Sequence, residues 1–227
     1  WNDPVMEPSR ADLERQFSQR WSPVEEKFGL KFADIQDVAG GETSAAVIQL
    51  AVDRSANVLL IDVTGKVAAA EELIQRVAAT LTGRGARKTF RTVEDTPMVV
   101  FELVDEESQA KETTVYFLKN NILGCSDDID VLQGIIERIG GGKADALGGD
   151  DVFKVVIDRC HQDAGQARPQ VRWFIRPVGY SQVLLADQPE RDRGSGRSII
   201  DILEGQGFDA MQSVGGFVDL SVDGYEL

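Results

Sequence analysis

Residues 57–83, NVLLIDVTGKVAAAEELIQRVAATLTG, carry the clearest indication of the fold. The first seven of these residues are almost all apolar and include several β-branched side chains, which is typical of a central strand covered on both faces. The segment 66–82 then repeats its apolar residues at helical spacing, with Glu71 and Glu72 outside the apolar stripe and Gly83 as the stop. A buried strand followed by an amphipathic helix predicts a sheet with a helix packed on it.

Short apolar segments joined by polar turns extend the sheet on both sides of this stretch. SAAVIQLAV precedes it, and four strand candidates follow it: RKTFRTV, PMVVFEL, ETTVYFL and NILG. Strands linked by such short turns pair antiparallel. Two further helices are predicted at 127–139 and 151–161. The sequence therefore predicts an α+β fold, in which a mostly antiparallel sheet of about five to seven strands is covered by three or more helices.

Polar residues mark the beginnings of these two helices. Ser126 is the predicted cap of the helix at 127–139, and Asp127 and Asp128 favour its positive end. Asp150 caps the helix at 151–161 in the same way. Further along, VRWFIRP alternates like a strand with Trp173 on the core side, and YSQVLLAD is predicted to form a short helix.

The chain divides at a polar run near its C-terminus. DQPERDRGSGR (residues 187–197) has a composition typical of an exposed linker. We therefore predict an α+β domain at 1–187, an exposed linker or loop at 188–197, and a further segment at 198–227. That last segment either starts a second related unit or closes the same domain.

An internal sequence similarity favours the interpretation that residues 198–227 start a second related unit. SIIDILEGQGFDAMQSVGGFVDLSV (198–222) follows the same order as SPVEEKFGLKFADIQDVAGGETSAAVIQL (22–50). Each has a short helix stopped by a glycine, then an aromatic anchor, then a Gly-Gly break and a strand. The alternative is coincidence between two amphipathic segments. A true duplication, together with a first residue that is Trp1 and not methionine, indicates a piece of a longer protein.

The order of elements and the closing GYEL resemble those of a group of large, uncharacterised extracytoplasmic bacterial proteins. The resemblance implies an extracytoplasmic or secreted location. It transfers no functional residue, since that group has no established activity.

The net charge and the hydropathy of the chain restrict the classes of partner that it is expected to bind. The 227 residues carry 38 acidic and 24 basic side chains, a net charge of −14. Such a field repels phosphate backbones, which excludes nucleic acid as the main partner. The longest apolar runs are far too short to cross a bilayer, so we expect no direct membrane insertion by this segment.

The only histidine, His161, follows Cys160 on the predicted helix 151–161. Neighbours on a helix do not face each other, so Cys160 is assigned to the apolar stripe and His161 to the negative end of the helix. No metal-ligand spacing, nucleophile elbow or phosphate loop is complete in the sequence. We therefore assign no catalytic, cofactor-binding or metal-binding residue and expect no cofactor.

One arginine cluster in the linker stands out as an interaction candidate: Arg191, Arg193 and Arg197. Its other interpretation is a solvated linker. The leading hypothesis is a non-enzymatic, extracytoplasmic structural or interaction module, which binds an unknown protein partner or a neighbouring domain of the same chain. The alternative is a hydrolase or small-molecule-binding domain with scattered carboxylates and arginines at its site. A redox role would require Cys125 and Cys160 to be close and exposed.

Overall fold

A computed structural model describes residues 21–22, 24–51, 54–104, 111–141, 146–166, 169–186, 205, 211–221 and 224–226. They fall into two compact units, one drawn from 1–46 and 56–142 and the other from 47–55 and 143–227. The linker predicted at 188–197 lies outside the described residues, as do 198–204 and 206–210. The division into 1–187, 188–197 and 198–227 therefore stays a prediction.

The described residues form an antiparallel six-stranded sheet with helices, which confirms the α+β class. In chain order the strands are β1 (Thr43–Ala51), β2 (Arg54–Asp62), β3 (Arg87–Val93), β4 (Thr96–Val104), β5 (Lys111–Lys119) and β6 (Ile122–Ser126). Their spatial order is β1-β2-β6-β5-β4-β3. The helices of this part of the chain are α1 (Phe32–Val38), α2 (Val67–Gly83) and α3 (Ile129–Ile139). Since α2 links β2 to β3, it carries the chain to the far edge of the sheet.

Two-residue turns fix the register of the hairpins. Glu94 and Asp95, between β3 and β4, have φ of 46° and 60°, and Asn120 and Asn121, between β5 and β6, have φ of 51° and 61°. Two successive left-handed residues match the twist of paired strands. The predicted turns are therefore hairpin turns.

One face of the sheet packs against α1, α2 and a helical segment at 24–28. The segment ends at Gly29, whose φ is +67°. The core on this side is formed by buried apolar residues of the strands and helices: Phe28, Leu30, Ile35, Val38, Leu59, Ile61, Leu73, Val77, Leu81, Phe101, Tyr116, Leu123 and Cys125. These contacts place the long amphipathic helix where its apolar stripe predicts it.

The opposite face packs against α3. Leu132 and Ile136 of α3 are buried against four strand residues: Met98, Val100, Val115 and Phe117. In β2, Leu59 and Ile61 lie in the first core while Leu60 packs against the second. The prediction that NVLLIDV is covered on both faces is therefore confirmed.

The second unit has a small sheet of its own. Its elements are α4 (Asp151–Ala164), β7 (Val171–Ile175), α5 (Pro177–Ala186), β8 (Val214–Ser221) and β9 (Gly224–Glu226), and the strand order is β7-β8-β9. Helix α4 packs against β8. The rings of Phe153 and Phe174 meet edge to face with centroids 5.2 Å apart. The helix predicted at 151–161 therefore belongs to this unit.

The cap of α3 also differs from the prediction. Asp128, not Ser126, is the N-cap, and its carboxylate accepts the amides of Asp130 and Val131 at 3.0 and 3.1 Å. Ser126 is the last residue of β6, and its hydroxyl accepts the Asp128 amide at 3.1 Å. Two residues separate strand and helix, so the serine lies too early to reach the first free amides of the helix. The predicted cap at Asp150 is confirmed by its bond from the Phe153 amide, 2.9 Å.

Trp173 and the Gly215-Gly216 pair both differ from what the sequence predicts. Trp173 is 40% exposed and not directed into a core. Gly215 and Gly216 lie inside β8 and do not precede it, with Gly216 opposite Trp173. A Cβ on Gly216 would lie 2.9 Å from the indole Cζ2. The glycine thus leaves room for the indole on the strand, whereas Gly40 and Gly41 precede β1 as predicted.

Candidate functional site

Strand β3 lies at an outer edge of the six-stranded sheet and pairs antiparallel with β4 on its inner side. In an edge strand, alternate residues direct their N–H and C=O groups away from the sheet. Within the described ranges no strand occupies the outer side of β3. In the part of the chain that the structure describes, the outward main-chain groups of β3 therefore have no strand partner.

The sequence of β3 is basic in an otherwise acidic chain. RKTFRTV contains Arg87, Lys88 and Arg91 and no acidic residue. Phe90 is 66% exposed, and the Lys88 ammonium lies 5.2 Å from the centre of its ring. Positive side chains on an edge strand discourage pairing between like edges. An exposed aromatic ring beside them is an apolar contact point at the same edge.

The register with β4 places these side chains on two faces. Arg87 and Arg91 pair with Glu102 and Met98 on the face that α3 covers. Lys88 and Phe90 pair with Phe101 and Val99 on the opposite face. Residues directly opposite in a sheet share a face, so β3 presents cations on both faces and its aromatic ring on one.

Glu102 holds two cations beside this edge. Arg87 Nη2 lies 2.5 Å from Glu102 Oε2, and Lys111 Nζ lies 2.6 Å from Oε1. The hydrogen bonds from Arg87 and then Lys111 lower the pKa of the carboxyl from 4.5 to about 2, against the opposing effect of burial. One carboxylate shared by two cations leaves this cluster with a net positive charge.

A second feature is a groove in the second unit with a volume of about 500 Å³. Three glutamines contribute to its walls, and Gln49 Nε2 donates to Gln182 Oε1 at 2.6 Å. Arg176, also at the wall, lies 2.5 Å from Asp150 Oδ2. Bonds from the Phe153 amide and then Arg176 lower the pKa of Asp150. The groove therefore offers the donors and acceptors of glutamine side chains, and the charge of Arg176 at its wall is already paired with Asp150.

The two cysteines are buried free thiols. Burial raises the pKa of the Cys125 thiol, against a bond from the Leu59 amide. Cys160 lies on the inner side of α4 as predicted, and His161 is exposed with Nε2 3.4 Å from Arg172 Nη1. Neither thiol therefore has the solvent exposure that a redox role requires.

The predicted interaction residues, Arg191, Arg193 and Arg197, lie outside the described residues. The sequence pattern of RKTFRTV predicts a strand and does not by itself mark the cations of β3 as a site. The available signal was a strand with three cations and no acid in a chain with an excess of acids.

The described residues contain no group of three His, Cys, Asp or Glu side chains placed to hold a metal ion. No helix among them is long and apolar enough to cross a membrane.

Comparisons with protein-family models, with curated proteins and with solved structures find no match for this chain.

Proposed function

We propose that this chain is a non-enzymatic interaction module of a longer protein. It binds an extended segment of a partner protein, or of a neighbouring domain of the same longer chain, by adding that segment as a strand to β3. The observation that carries the proposal is the outer position of β3 together with the exposed ring of Phe90. Main-chain hydrogen bonds supply affinity in strand addition, and alternate side chains supply specificity.

An extracytoplasmic location belongs to the same proposal. Its support is the resemblance of the element order and the closing GYEL to large extracytoplasmic bacterial proteins.

Binding at β3 is tested by nuclear magnetic resonance of the whole chain. A panel of eight-residue peptides with blocked ends and acidic, neutral or basic composition is titrated into isotope-labelled protein. We expect at least one peptide to shift the amide signals of β3 and to slow hydrogen exchange at alternate residues of the strand, because only the outward amides gain partners. If no peptide affects β3, or if all shifts map elsewhere, the proposal is wrong.

Phe90→Thr supplies the matching variant. It keeps a residue suited to strands and removes the exposed ring, so we expect weaker binding with an unchanged fold. Val155→Thr is its control, since Val155 is 69% exposed on α4. Equal loss in both variants would mean that the ring has no special part in binding.

The groove supports a second candidate, a small-molecule-binding domain. Its volume of about 500 Å³ and its lining by Gln182, Gln212 and Arg176 favour a small polar ligand. A screen of small polar compounds by the same amide shifts tests it, with Gln182→Leu as the blocking variant. Shifts confined to the groove and lost in that variant would favour this candidate over the interaction module.

A further inference from the structure

We infer that the segment bound by β3 is acidic, with carboxylates opposite Arg87, Lys88 and Arg91 and an apolar residue opposite Phe90. The inference rests on the proposed edge binding and names the chemistry of the partner. It follows from the charges left unbalanced at the edge and from the two faces on which they lie.

Among the described residues, the cations of β3 outnumber the carboxylates that pair with them. Lys88 and Arg91 form no ion pair with another described residue. Arg87 shares Glu102 with Lys111, and its side chain is 74% exposed. The guanidinium has donors beyond the one that meets Glu102. Three carboxylates on a bound strand would complete these pairs.

The spacing of these side chains fixes the order of residues in the partner. In antiparallel pairing, successive partner residues face Arg91, Phe90, Thr89, Lys88 and Arg87. Directly opposed residues share a face. Read from its own N-terminus, the partner segment that matches β3 therefore has the order acidic, apolar, small polar, acidic, acidic. Glu-Val-Thr-Glu-Glu fulfils this order with residues that suit a strand at its centre.

Other occupants fit the edge less well. A second copy of this chain pairing through β3 would bring three cations against three cations. A long polyanion such as nucleic acid extends past β3 and meets a chain with a net charge of −14. A short acidic segment paired with β3 lies opposite its three cations.

The experiment compares two peptides that differ only in charge. One is Gly-Glu-Val-Thr-Glu-Glu-Gly with blocked ends, and the other replaces each glutamate with glutamine. Dissociation constants are measured from β3 amide shifts at low and at high salt. Because exposed ion pairs contribute modestly, we expect the acidic peptide to bind roughly tenfold more tightly at low salt. The difference should shrink at high salt, where such pairs are screened.

Two double variants test whether the difference in affinity between the two peptides arises at β3. Lys88→Gln with Arg91→Gln should remove most of the preference for the acidic peptide. Lys154→Gln with Arg159→Gln makes the same change of net charge on α4, where both side chains are exposed. This control should retain the preference. Equal loss in both double variants would mean that net charge alone sets the affinity.

The outcomes separate the two proposals. If both peptides shift β3 with equal affinity, strand addition stands and the acidic partner is wrong. If neither these peptides nor the wider panel affects β3, the proposed function itself is wrong. If the acidic peptide binds more tightly but shifts residues away from β3, the inference is overturned as well.

Discussion

Tyr116 Oη donates a hydrogen bond to the backbone carbonyl of Phe28, 88 positions earlier in the chain. Phe28 ends the helical segment at 24–28, and the last carbonyls of a helix have no partner within it. Thr114 Oγ1 donates a hydrogen bond of 2.9 Å to the carbonyl of Lys27, the residue before Phe28. Two side chains of β5 thus satisfy the end of that segment and hold it on the sheet.

Removing the Tyr116 hydroxyl leaves the buried carbonyl of Phe28 without this donor. We expect Tyr116→Phe to lower the free energy of unfolding by about 1–3 kcal/mol. Urea denaturation followed by circular dichroism measures the loss. Tyr180→Phe is the control, because Tyr180 is 46% exposed, and it should change stability by less than about 0.5 kcal/mol. Equal stability of Tyr116→Phe and the parent chain would contradict the assigned role.

Two adjacent aspartates should differ in their contribution to stability. Asp127 accepts from the Asn57 amide at 2.7 Å and from its side chain at 2.8 Å, and it also pairs with Lys27. Since its side chain is only 10% exposed, we expect Asp127→Ala to cost about 3 kcal/mol. Asp128→Ala removes only the cap of α3 and should cost about 1 kcal/mol. Thermal or urea unfolding of both variants tests the order, and the reverse order would refute the assignment.

The Glu102 cluster predicts a dependence of stability on acid. Its carboxyl pKa is lowered to about 2 in the folded chain, against 4.5 without these partners. A lowered folded pKa stabilises the folded state above pH 4.5, and that stabilisation is lost as pH falls towards 2. Glu102→Gln should therefore reduce the loss of stability across this interval, as measured by urea unfolding at a series of pH values. An unchanged dependence of stability on pH in Glu102→Gln would contradict the assigned role.

Gly124 provides a test of packing in the second core. Ring atoms of Phe117, which is buried opposite it in the sheet, occupy the space that a Cβ at this position needs. We expect Gly124→Ala to destabilise the fold by about 1–3 kcal/mol, as overpacking does in close-packed cores. Gly148→Ala is the control, since a Cβ there meets open space. A Gly124→Ala variant as stable as this control would mean that the ring moves aside at little cost.

Much of the fold could be predicted from the sequence because its signals are local. The apolar run of PMVVFEL and the helical stripe of residues 66–82 need no knowledge of distant partners. Asn120-Asn121 likewise encodes its own left-handed turn. The cap of α3 was misplaced because Ser126, Asp127 and Asp128 all suit a cap, and only the end of β6 decides among them.

The candidate site could not be predicted in this way. RKTFRTV carries the same strand signal whether it lies at the centre or at the edge of a sheet. Its outer position depends on α2 carrying the chain across the sheet and on β6 pairing with β2. Likewise, the 66% exposure of Phe90 depends on where the helices of that face pack, since Phe90 is not part of the core formed there.

Local sequence patterns predict the α+β class, the strand and helix segments and the doubly covered strand β2, because hydrophobic periodicity and turn residues act over a few neighbours. The folded chain adds what these patterns do not contain: α4 belongs to a second unit, Asp127 binds Asn57, and Arg87, Lys88 and Arg91 lie on an outer strand. These features depend on contacts between residues far apart in the chain, which packing selects and local patterns do not encode.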